Sequence, residues 1–293
     1  MNILFRADSS STIGIGHIMR DLVLAKQYPN DEIFFATQNL EGNINDKIIE
    51  SGYKVIVLDS NSIEELDRLI KKLNIDLLII DHYEINYEYE KELKTKNPTL
   101  KIMVLDDTYE KHHCDILLNH NIYVDESKYK DLVPDICEIR CGFKYTLLRE
   151  EFRIEKNIKR DKIYDFFIAM GGADTANLNI KILNILPKDK KVAIVTTNAN
   201  KNLQDLKKYV KNKNNISLFI NSDQIAKIIN QSKLAIITPS VIVNEVYFLG
   251  VPFIVIKTAD NQEDMYRYLQ KNGYPVLEYK KIDLLKYKIE GNL

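Results

Sequence analysis

Hydrophobic positions fall into two alternating patterns along the chain. Short, nearly continuous apolar runs predict buried strands of a parallel sheet, and the longer amphipathic stretches between them predict crossover helices. In residues 62–73, for example, a capping box of Ser62 and Glu65 precedes apolar residues at helical spacing. The alternation predicts two doubly wound α/β domains in tandem. The predicted strands are residues 2–6, 32–36, 54–58, 76–81, 101–105, 115–119, 164–169, 191–195, 216–220, 234–237 and 253–256.

A polar segment, residues 149–161, interrupts this alternation near the middle of the chain. We interpret it as a linker between a domain of residues 1–148 and a domain of residues 162–293, because 293 residues are more than one core normally holds. Open parallel sheets bind ligands at the carboxyl ends of their strands. The active site is therefore predicted in a cleft between two facing Rossmann-like domains.

Charge and composition narrow the choice of partners. Lys and Arg number 41 and Asp and Glu number 42, so no long-range positive field favours nucleic acid or an anionic membrane. No run approaches the roughly 20 apolar residues that span a bilayer. The first apolar run is soon broken by Arg6 and Asp8, unlike a signal peptide. A cytoplasmic protein is predicted, and the sequence is compatible with a monomer.

Cysteine, histidine and aspartate positions do not predict a metal site. The three cysteines, Cys114, Cys137 and Cys141, are odd in number and lack zinc or redox spacing, so we interpret them as reduced thiols. A carboxylate pair at 106–107 has no further ligand at suitable spacing and favours a solvated turn. The adjacent histidines at 112–113 are a poor ligand set, because neighbouring side chains rarely converge on one ion.

The loop after the first predicted strand, residues 8–21, combines hydroxyls with Gly14 and Gly16. Such a loop leaves backbone N–H groups unpaired where a helix should begin, and anions bind well there. A dinucleotide fingerprint needs a third glycine, but His17 follows Gly16 directly. A nicotinamide cofactor is therefore not predicted.

His17 is the leading candidate for chemistry in this loop. A neutral imidazole at the carboxyl end of a strand can take a proton from water, so His17 is a candidate general base. Asp8 is a candidate to orient the ring, and Arg20 lies one turn further along the predicted helix. The structural alternative is a histidine that caps or packs against that helix.

A second candidate loop, Asp81-His82-Tyr83, follows the strand predicted at 76–81. In one interpretation Asp81 caps a turn and His82 packs beside it. In the other, Asp81 and Tyr83 line the cleft opposite His17.

In the second half, the glycine pair 171–172 (Gly171 and Gly172) follows a strand and permits close approach of backbone to phosphate at a predicted helix start. Ser240 is a predicted N-cap, and the N–H groups that follow, from Val241 onward, could bind a diphosphate. Asn244 belongs to the same predicted site. Glu245 could accept both hydroxyls of a ribose, or it could lie on a solvated helix face.

Six segments resemble the UDP-sugar hydrolase family of pseudaminic acid biosynthesis, whose members remove UDP from UDP-2,4-diacetamido-2,4,6-trideoxy-β-L-altropyranose. The resemblance runs from the start of the chain to about residue 275. It departs from the family pattern at Ala173 and in an unaligned tail, residues 280–293. The matching segments are residues 5–21, 78–83, 112–119, 140–143, 170–172 and 243–245.

The resemblance implies a two-domain fold of the GT-B glycosyltransferase type and a hydrolysis that needs neither metal nor cofactor. Water would attack the anomeric carbon, and UDP would leave with inversion. In this scheme His17 is the general base, and Tyr83 and Asn261 assist near the sugar. UDP would lie on the second domain, with uracil near Ile220, the diphosphate near Gly172 and Ser240, and the ribose on Glu245.

Two alternatives remain open at this point. A glycosyltransferase would use the same cleft with an acceptor in place of water. A non-catalytic sugar-nucleotide-binding protein would bind UDP without turnover. The position of Asn261 supports a site at the cleft independently of the resemblance, because its polar loop follows the strand predicted at 253–256.

Overall fold

The computed structural model describes residues 1–291 and divides the chain into two compact units, Met1–Leu147 and Leu148–Leu293. The segment predicted as a linker, 149–161, belongs to the second unit and contains the helix Glu150–Lys156. Phe152 is fully buried and fixes this helix to its unit. Because the segment is mostly polar, its sequence did not indicate that Phe152 would be buried.

The first unit is a seven-stranded parallel sheet with helices between most of its strands. The strand order is β3-β2-β1-β4-β5-β6-β7, which matches a Rossmann fold with one added strand. The strands are β1 (Asn2–Ala7), β2 (Glu32–Gln38), β3 (Lys54–Leu58), β4 (Leu77–Asp81), β5 (Lys101–Leu105), β6 (Ile116–Asn119) and β7 (Glu138–Cys141), and the helices are α1 (Gly16–Ala25), α2 (Asn45–Glu50), α3 (Ile63–Leu73) and α4 (Tyr87–Lys96). Short 3-10 helices span Glu126–Tyr129 and Phe143–Tyr145.

The second unit repeats this topology with six parallel strands in the order β10-β9-β8-β11-β12-β13. The strands are β8 (Tyr164–Ala169), β9 (Val192–Thr196), β10 (Ile216–Ile220), β11 (Ser232–Ile237), β12 (Phe253–Lys257) and β13 (Val276–Glu278). The helices are α5 (Glu150–Lys156), α6 (Leu178–Ile185), α7 (Leu203–Val210), α8 (Ile225–Asn230), α9 (Val241–Leu249), α10 (Glu263–Lys271) and α11 (Leu285–Glu290), with 3-10 helices at Asp260–Gln262 and Tyr279–Leu284.

Each of the strands predicted from the hydrophobic pattern is present, but β7 and β13 were missed. Both are short strands at an edge of their sheet. An edge strand pairs on one side only, so its sequence needs less continuous apolar character than a central strand. The pattern is therefore strongest where the sheet is most buried.

The C-terminal tail packs on the second unit. Leu285 is fully buried and Ile289 is 5% exposed, and both belong to the hydrophobic core of that unit. The described part of this tail, which the resemblance left unaligned, therefore contributes to the core of the second unit. Residues 292–293 lie outside the described residues.

The capping box predicted at the start of α3 is half formed. The Ser62 hydroxyl accepts a hydrogen bond from the Glu65 N–H at 3.3 Å. The Glu65 carboxylate instead accepts from the N–H groups of Asp59 and Ser60, three and two residues before the helix cap. The helix start is as predicted, and the carboxylate holds the preceding turn.

Both sheets have a switch point that positions functional loops. In the first unit, β1 lies between β2 and β4, so the chain leaves β1 on one side and later returns on the other. In the second unit, β8 lies in the same way between β9 and β11. The loops that follow β1, β4, β8 and β11 therefore border the crevices in which open α/β sheets bind ligands.

Candidate active site

The loop between β1 and α1 is a tight turn. Ser10 and Gly14 exchange two backbone hydrogen bonds of 2.9 and 3.2 Å. Gly14 has a φ of +88°, a left-handed value that a residue with a Cβ adopts only under strain. The turn places Gly16 and His17 in the first turn of α1, where no side chain caps the helix.

His17 is held by Asp81, the last residue of β4. The Nδ1 atom of His17 lies 2.6 Å from Oδ1 of Asp81, and the two residues are 7% and 1% exposed. Because β4 pairs directly with β1, the strand register carries Asp81 to the start of α1. The contact occupies Nδ1 and leaves Nε2 as the ring nitrogen that can accept a proton.

Arg20 joins Asp81 to a second carboxylate. Its Nε donates to Asp81 Oδ2 at 2.6 Å, and its Nη1 donates to Asp107 Oδ2 at 2.8 Å. Burial acts to raise the pKa of Asp81, but the charge and hydrogen bonds of Arg20 outweigh it and lower that pKa to about 2. Asp81 is therefore ionised and accepts the Nδ1 proton of His17, which fixes the ring and its tautomer.

Tyr83 completes this network. Its hydroxyl donates to Asp107 Oδ1 at 3.1 Å, and its ring meets the His17 ring edge-on with centroids 4.8 Å apart. Desolvation of the hydroxyl and the nearby Asp107 carboxylate raise the pKa of Tyr83 to about 12. Tyr83 is thus a neutral hydrogen-bonding group beside His17, consistent with its predicted place near the sugar.

A cavity of about 290 Å³ opens beside His17. Its size approaches that of a small-molecule site. The residues that line it are Asp8, Ile13, His17, Gln38, Leu40, Asp81, His82, Tyr83 and Glu84. The sequence analysis did not single out Gln38, Leu40 and Glu84, which carry no motif, and it included Ile13 only as part of the loop 8–21.

Asp8 does not orient His17, which corrects the role expected of it. The Asp8 carboxylate accepts from Arg6 at 2.8 Å and from the backbone N–H of Gln38 at 2.6 Å. It also contacts His82 Nε2 at 3.0 Å. Arg6 is fully buried, so this ion pair holds the Asp8 carboxylate in the cavity wall without a contact to His17.

Two further titratable groups lie behind the site. Asp21 is fully buried with no hydrogen bond to its carboxylate among residues 1–291. Burial and the neighbouring Asp81 charge raise the pKa of Asp21 well above its usual value. Burial and the charge of Arg20 lower the pKa of His120 to about 4. His120 is therefore neutral near neutral pH, and Asp81, with its lowered pKa, supplies a negative charge next to His17.

The carboxylate pair 106–107 does not form the solvated turn expected from the sequence. Asp106 is 5% exposed and accepts a hydrogen bond from the Tyr129 hydroxyl at 2.7 Å. His112 Nδ1 lies 2.7 Å from Glu90 Oε1. Glu90, 22 residues away in sequence, was not recognised as the partner. Across the described part of the chain, no group of three or more His, Cys, Asp or Glu side chains is placed to hold a metal ion.

The glycine pair of the second unit does not lie at a helix start, contrary to expectation. Helix α6 begins only at Leu178, and its first N–H groups donate to the Asp174 carboxylate at 2.8 and 3.1 Å. Gly171 has a φ of +73°. Gly172 is exposed, and a Cβ there would lie 3.0 Å from the Thr197 side chain. The pair thus forms an open, glycine-dependent turn after β8.

Helix α9 offers the better anion site. Ser240 stands at its N-cap as predicted, but the Ser240 side chain makes no capping bond. Val241 begins the helix and is 49% exposed. Asn244 is fully buried, and neither its amide nitrogen nor its amide oxygen has a partner among the described residues. Backbone N–H groups at a helix start that lacks a side-chain cap are suited to a diphosphate.

Glu245 lies in the second turn of α9 and is 5% exposed, so it is not on a solvated face. Arg149 Nε and Nη2 both contact Oε1, at 3.0 and 2.9 Å. Burial raises the pKa of Glu245 to about 7, and Arg149 opposes that rise. Oε2 is the oxygen left to accept hydroxyl groups.

The remaining predicted residues fall at carboxyl ends of the second sheet. Ile220 is the last residue of β10 and is partly buried. Asn261 is exposed in the 3-10 helix that follows β12. Both positions agree with the sheet argument, and their contacts with a substrate stay predictions. Within residues 1–291, no helix combines the length and apolar character needed to cross a membrane.

Solved structures that are similar in fold include glycosyltransferases. MurG of Acinetobacter baumannii matches with a TM-score of 0.63 at 12% identity, over 99% of this chain and 90% of that one. The spinosyn rhamnosyltransferase SpnG, complexed with thymidine diphosphate, matches with a TM-score of 0.59 at 11% identity, over 99% and 92%. The likeness shows the GT-B fold and confirms the predicted fold class.

One relative specifies the family. The UDP-2,4-diacetamido-2,4,6-trideoxy-β-L-altropyranose hydrolase of Campylobacter jejuni subsp. jejuni is 50% identical over 280 residues, which are 96% of this chain and 100% of that protein. This chain belongs to the family of UDP-2,4-diacetamido-2,4,6-trideoxy-β-L-altropyranose hydrolases, as the resemblance predicted. No family model matches the chain.

Proposed function

We propose that this protein hydrolyses UDP-2,4-diacetamido-2,4,6-trideoxy-β-L-altropyranose to UDP and the free sugar, a step of pseudaminic acid biosynthesis. Family membership supports the substrate. The observation that carries the mechanism is the His17–Asp81 pair at the edge of a cavity, with Nδ1 bound to the carboxylate at 2.6 Å.

In the proposed reaction, His17 Nε2 takes a proton from a water molecule as the water oxygen attacks the anomeric carbon. The bond between that carbon and the diphosphate oxygen breaks, and UDP leaves with the electron pair. Asp81 stabilises the imidazolium that forms, as a buried carboxylate does for a histidine base. Attack opposite the leaving group inverts the anomeric carbon.

The leaving group is proposed to bind to the second unit. The open start of α9 would hold the diphosphate and stabilise the charge that develops on it, so no step in this scheme is assigned to a metal or a cofactor. Glu245 Oε2 would accept ribose hydroxyls while Arg149 holds Oε1. Uracil is assigned to the surface near Ile220, and Tyr83 and Asn261 are assigned to the sugar.

Incubation with the UDP-sugar in heavy-oxygen water, without an acceptor, tests the reaction directly. Free sugar carrying the label, together with unlabelled UDP, is expected by mass spectrometry. Label in UDP would mean attack at phosphorus and would contradict the scheme. No release without an added acceptor would favour a glycosyltransferase, and UDP binding without any turnover would indicate a binding protein.

The ribose assignment is tested by titrating UDP, and a UDP analogue without ribose hydroxyls, into Glu245→Gln. Loss of hydrogen bonds to a charged group costs about 1.5–3 kcal/mol, so UDP affinity should fall roughly ten- to a hundredfold. The analogue should bind wild type and variant alike. Glu151→Gln, which changes the other carboxylate on Arg149, should retain the preference for UDP. If Glu245→Gln kept the wild-type preference for UDP over the analogue, Glu245 would not bind the ribose.

A further inference from the structure

Two of the three cysteines meet in the first unit, away from the His17 cavity. Sγ of Cys114 lies 3.6 Å from Sγ of Cys137, although 23 residues separate them in the chain. Cys114 precedes β6 and Cys137 immediately precedes β7, and these two strands pair in parallel. Strand pairing, which the cysteine spacing in the sequence does not reveal, brings the two thiols together.

The surrounding backbone keeps the two thiols in place. The Glu138 N–H donates to the Asp115 carbonyl at 2.9 Å, which joins the residues next to the two cysteines. The Cys137 N–H donates to the Pro134 carbonyl at 2.8 Å. A disulfide bond is about 2.05 Å long, so the sulfur atoms must approach by about 1.5 Å to form one.

We propose that Cys114 and Cys137 are a modification site that forms a reversible intramolecular disulfide, with Cys137 as the attacking thiol and Cys114 as the resolving thiol. The oxidant is a low-molecular-weight disulfide such as glutathione disulfide. The inference is independent of the hydrolysis proposed above.

The two cysteines differ in ways that set their order of reaction. Cys114 is 5% exposed, whereas Cys137 is partly exposed and can meet a solute. The hydrogen bond with Cys114 lowers the pKa of Cys137. The same hydrogen bond and, as a smaller cause, burial raise the pKa of Cys114. The thiolate is the attacking species in thiol–disulfide exchange, so Cys137 reacts first.

The chemistry balances in two exchanges. The Cys137 thiolate attacks one sulfur of glutathione disulfide, the S–S bond breaks, and one glutathione leaves as a thiolate. Cys114 then gives up its proton and attacks the Cys137 sulfur, which displaces the second glutathione. Two protein thiols are oxidised while one glutathione disulfide is reduced to two thiols.

The test uses the full chain, reduced and then incubated with glutathione disulfide. Thiol titration under denaturing conditions should fall from the three free thiols of the reduced chain to one. Peptide mapping should find Cys114 joined to Cys137, and a thiol reductant should reverse the change. Retention of all three thiols, or a bond that involves Cys141, would overturn the proposal.

Single substitutions test the order of attack. Cys114→Ser should accumulate a glutathione adduct on Cys137, because no resolving thiol remains. Cys137→Ser should acquire no adduct at Cys114. Cys141→Ser is the matched control and should form the Cys114–Cys137 bond at the wild-type rate. A glutathione adduct on Cys137 that persists in the wild type would show that Cys114 does not resolve it, which also contradicts the proposal.

Discussion

Two histidine–carboxylate pairs in the first unit have nearly the same local geometry, and we propose opposite roles for them. His17 Nδ1 lies 2.6 Å from Asp81, and His112 Nδ1 lies 2.7 Å from Glu90. Both histidines are 7% exposed. Neither the carboxylate contact nor the degree of burial therefore distinguishes a catalytic histidine from a structural one.

The second ring nitrogen makes the difference. His17 lines the cavity, and its Nε2 is available to a substrate or a water. His112 Nε2 lies 4.0 Å from the Asp106 carboxylate and is buried. Burial would lower the pKa of His112, but the Asp106 and Glu90 carboxylates raise it to about 9. A histidine that is protonated near neutral pH cannot act as a base there, so we assign His112 a structural role.

The largest effect is expected when Asp81, the partner of the proposed base His17, is changed. Asp81→Asn should lower kcat by about 10²- to 10⁴-fold. The Asn amide can donate a hydrogen bond to Nδ1, which favours the tautomer with its proton on Nε2, so Nε2 can no longer accept a proton from water. UDP affinity should remain near wild type, since the nucleotide is assigned to the other unit. Steady-state kinetics and UDP titration would check this. If Asp81→Asn retained near-normal kcat, Asp81 would not be needed for His17 to act as a base.

A change in the His112–Glu90 pair should lower the stability of the protein instead of its activity. His112→Leu leaves the buried carboxylates of Glu90 and Asp106 without their cation, and such a loss typically costs about 3–5 kcal/mol in the free energy of unfolding. Urea unfolding at neutral pH measures this difference, and kcat of the folded variant should change little. A stable variant without activity would assign His112 to the reaction.

The stability contributed by His112 should also depend on pH in a defined direction. Its pKa is raised from 6.5 to about 9, so its contribution is fully present below about pH 6.5 and is lost as the pH rises through about 9. The difference in unfolding free energy between the wild type and His112→Leu should therefore shrink from neutral to alkaline pH. A difference that is constant with pH would mean that His112 is not charged in the folded protein.

The smallest effect is expected at a third histidine, which sharpens the comparison. His82 also lines the cavity, but its Nε2 contacts Asp8 at 3.0 Å and its Nδ1 accepts from the Glu84 N–H at 3.2 Å. Because both ring nitrogens are occupied, His82→Gln should change kcat by less than about tenfold. A loss as large as that of Asp81→Asn would show that occupied ring nitrogens do not exclude a histidine from the reaction.

Much of the fold, and part of the candidate site, could be predicted from the sequence. Central strands are continuous apolar runs, so their positions and the tandem α/β fold follow from local pattern, and the switch points then place His17, Asp81 and Ser240 near ligand crevices. The specific pairings could not be predicted. The contacts of His17 with Asp81 and of His112 with Glu90 join residues 64 and 22 positions apart, and only strand register and helix packing decide them.

The substitution His17→Asn tests the central claim most directly. Single-turnover hydrolysis of the UDP-sugar and UDP titration are measured on the same preparation, with His112→Leu in parallel. The rate of His17→Asn is predicted to fall at least about a hundredfold while UDP affinity stays near wild type, because general-base catalysis typically contributes about 10²- to 10⁴-fold. Near-normal hydrolysis by His17→Asn would contradict the account.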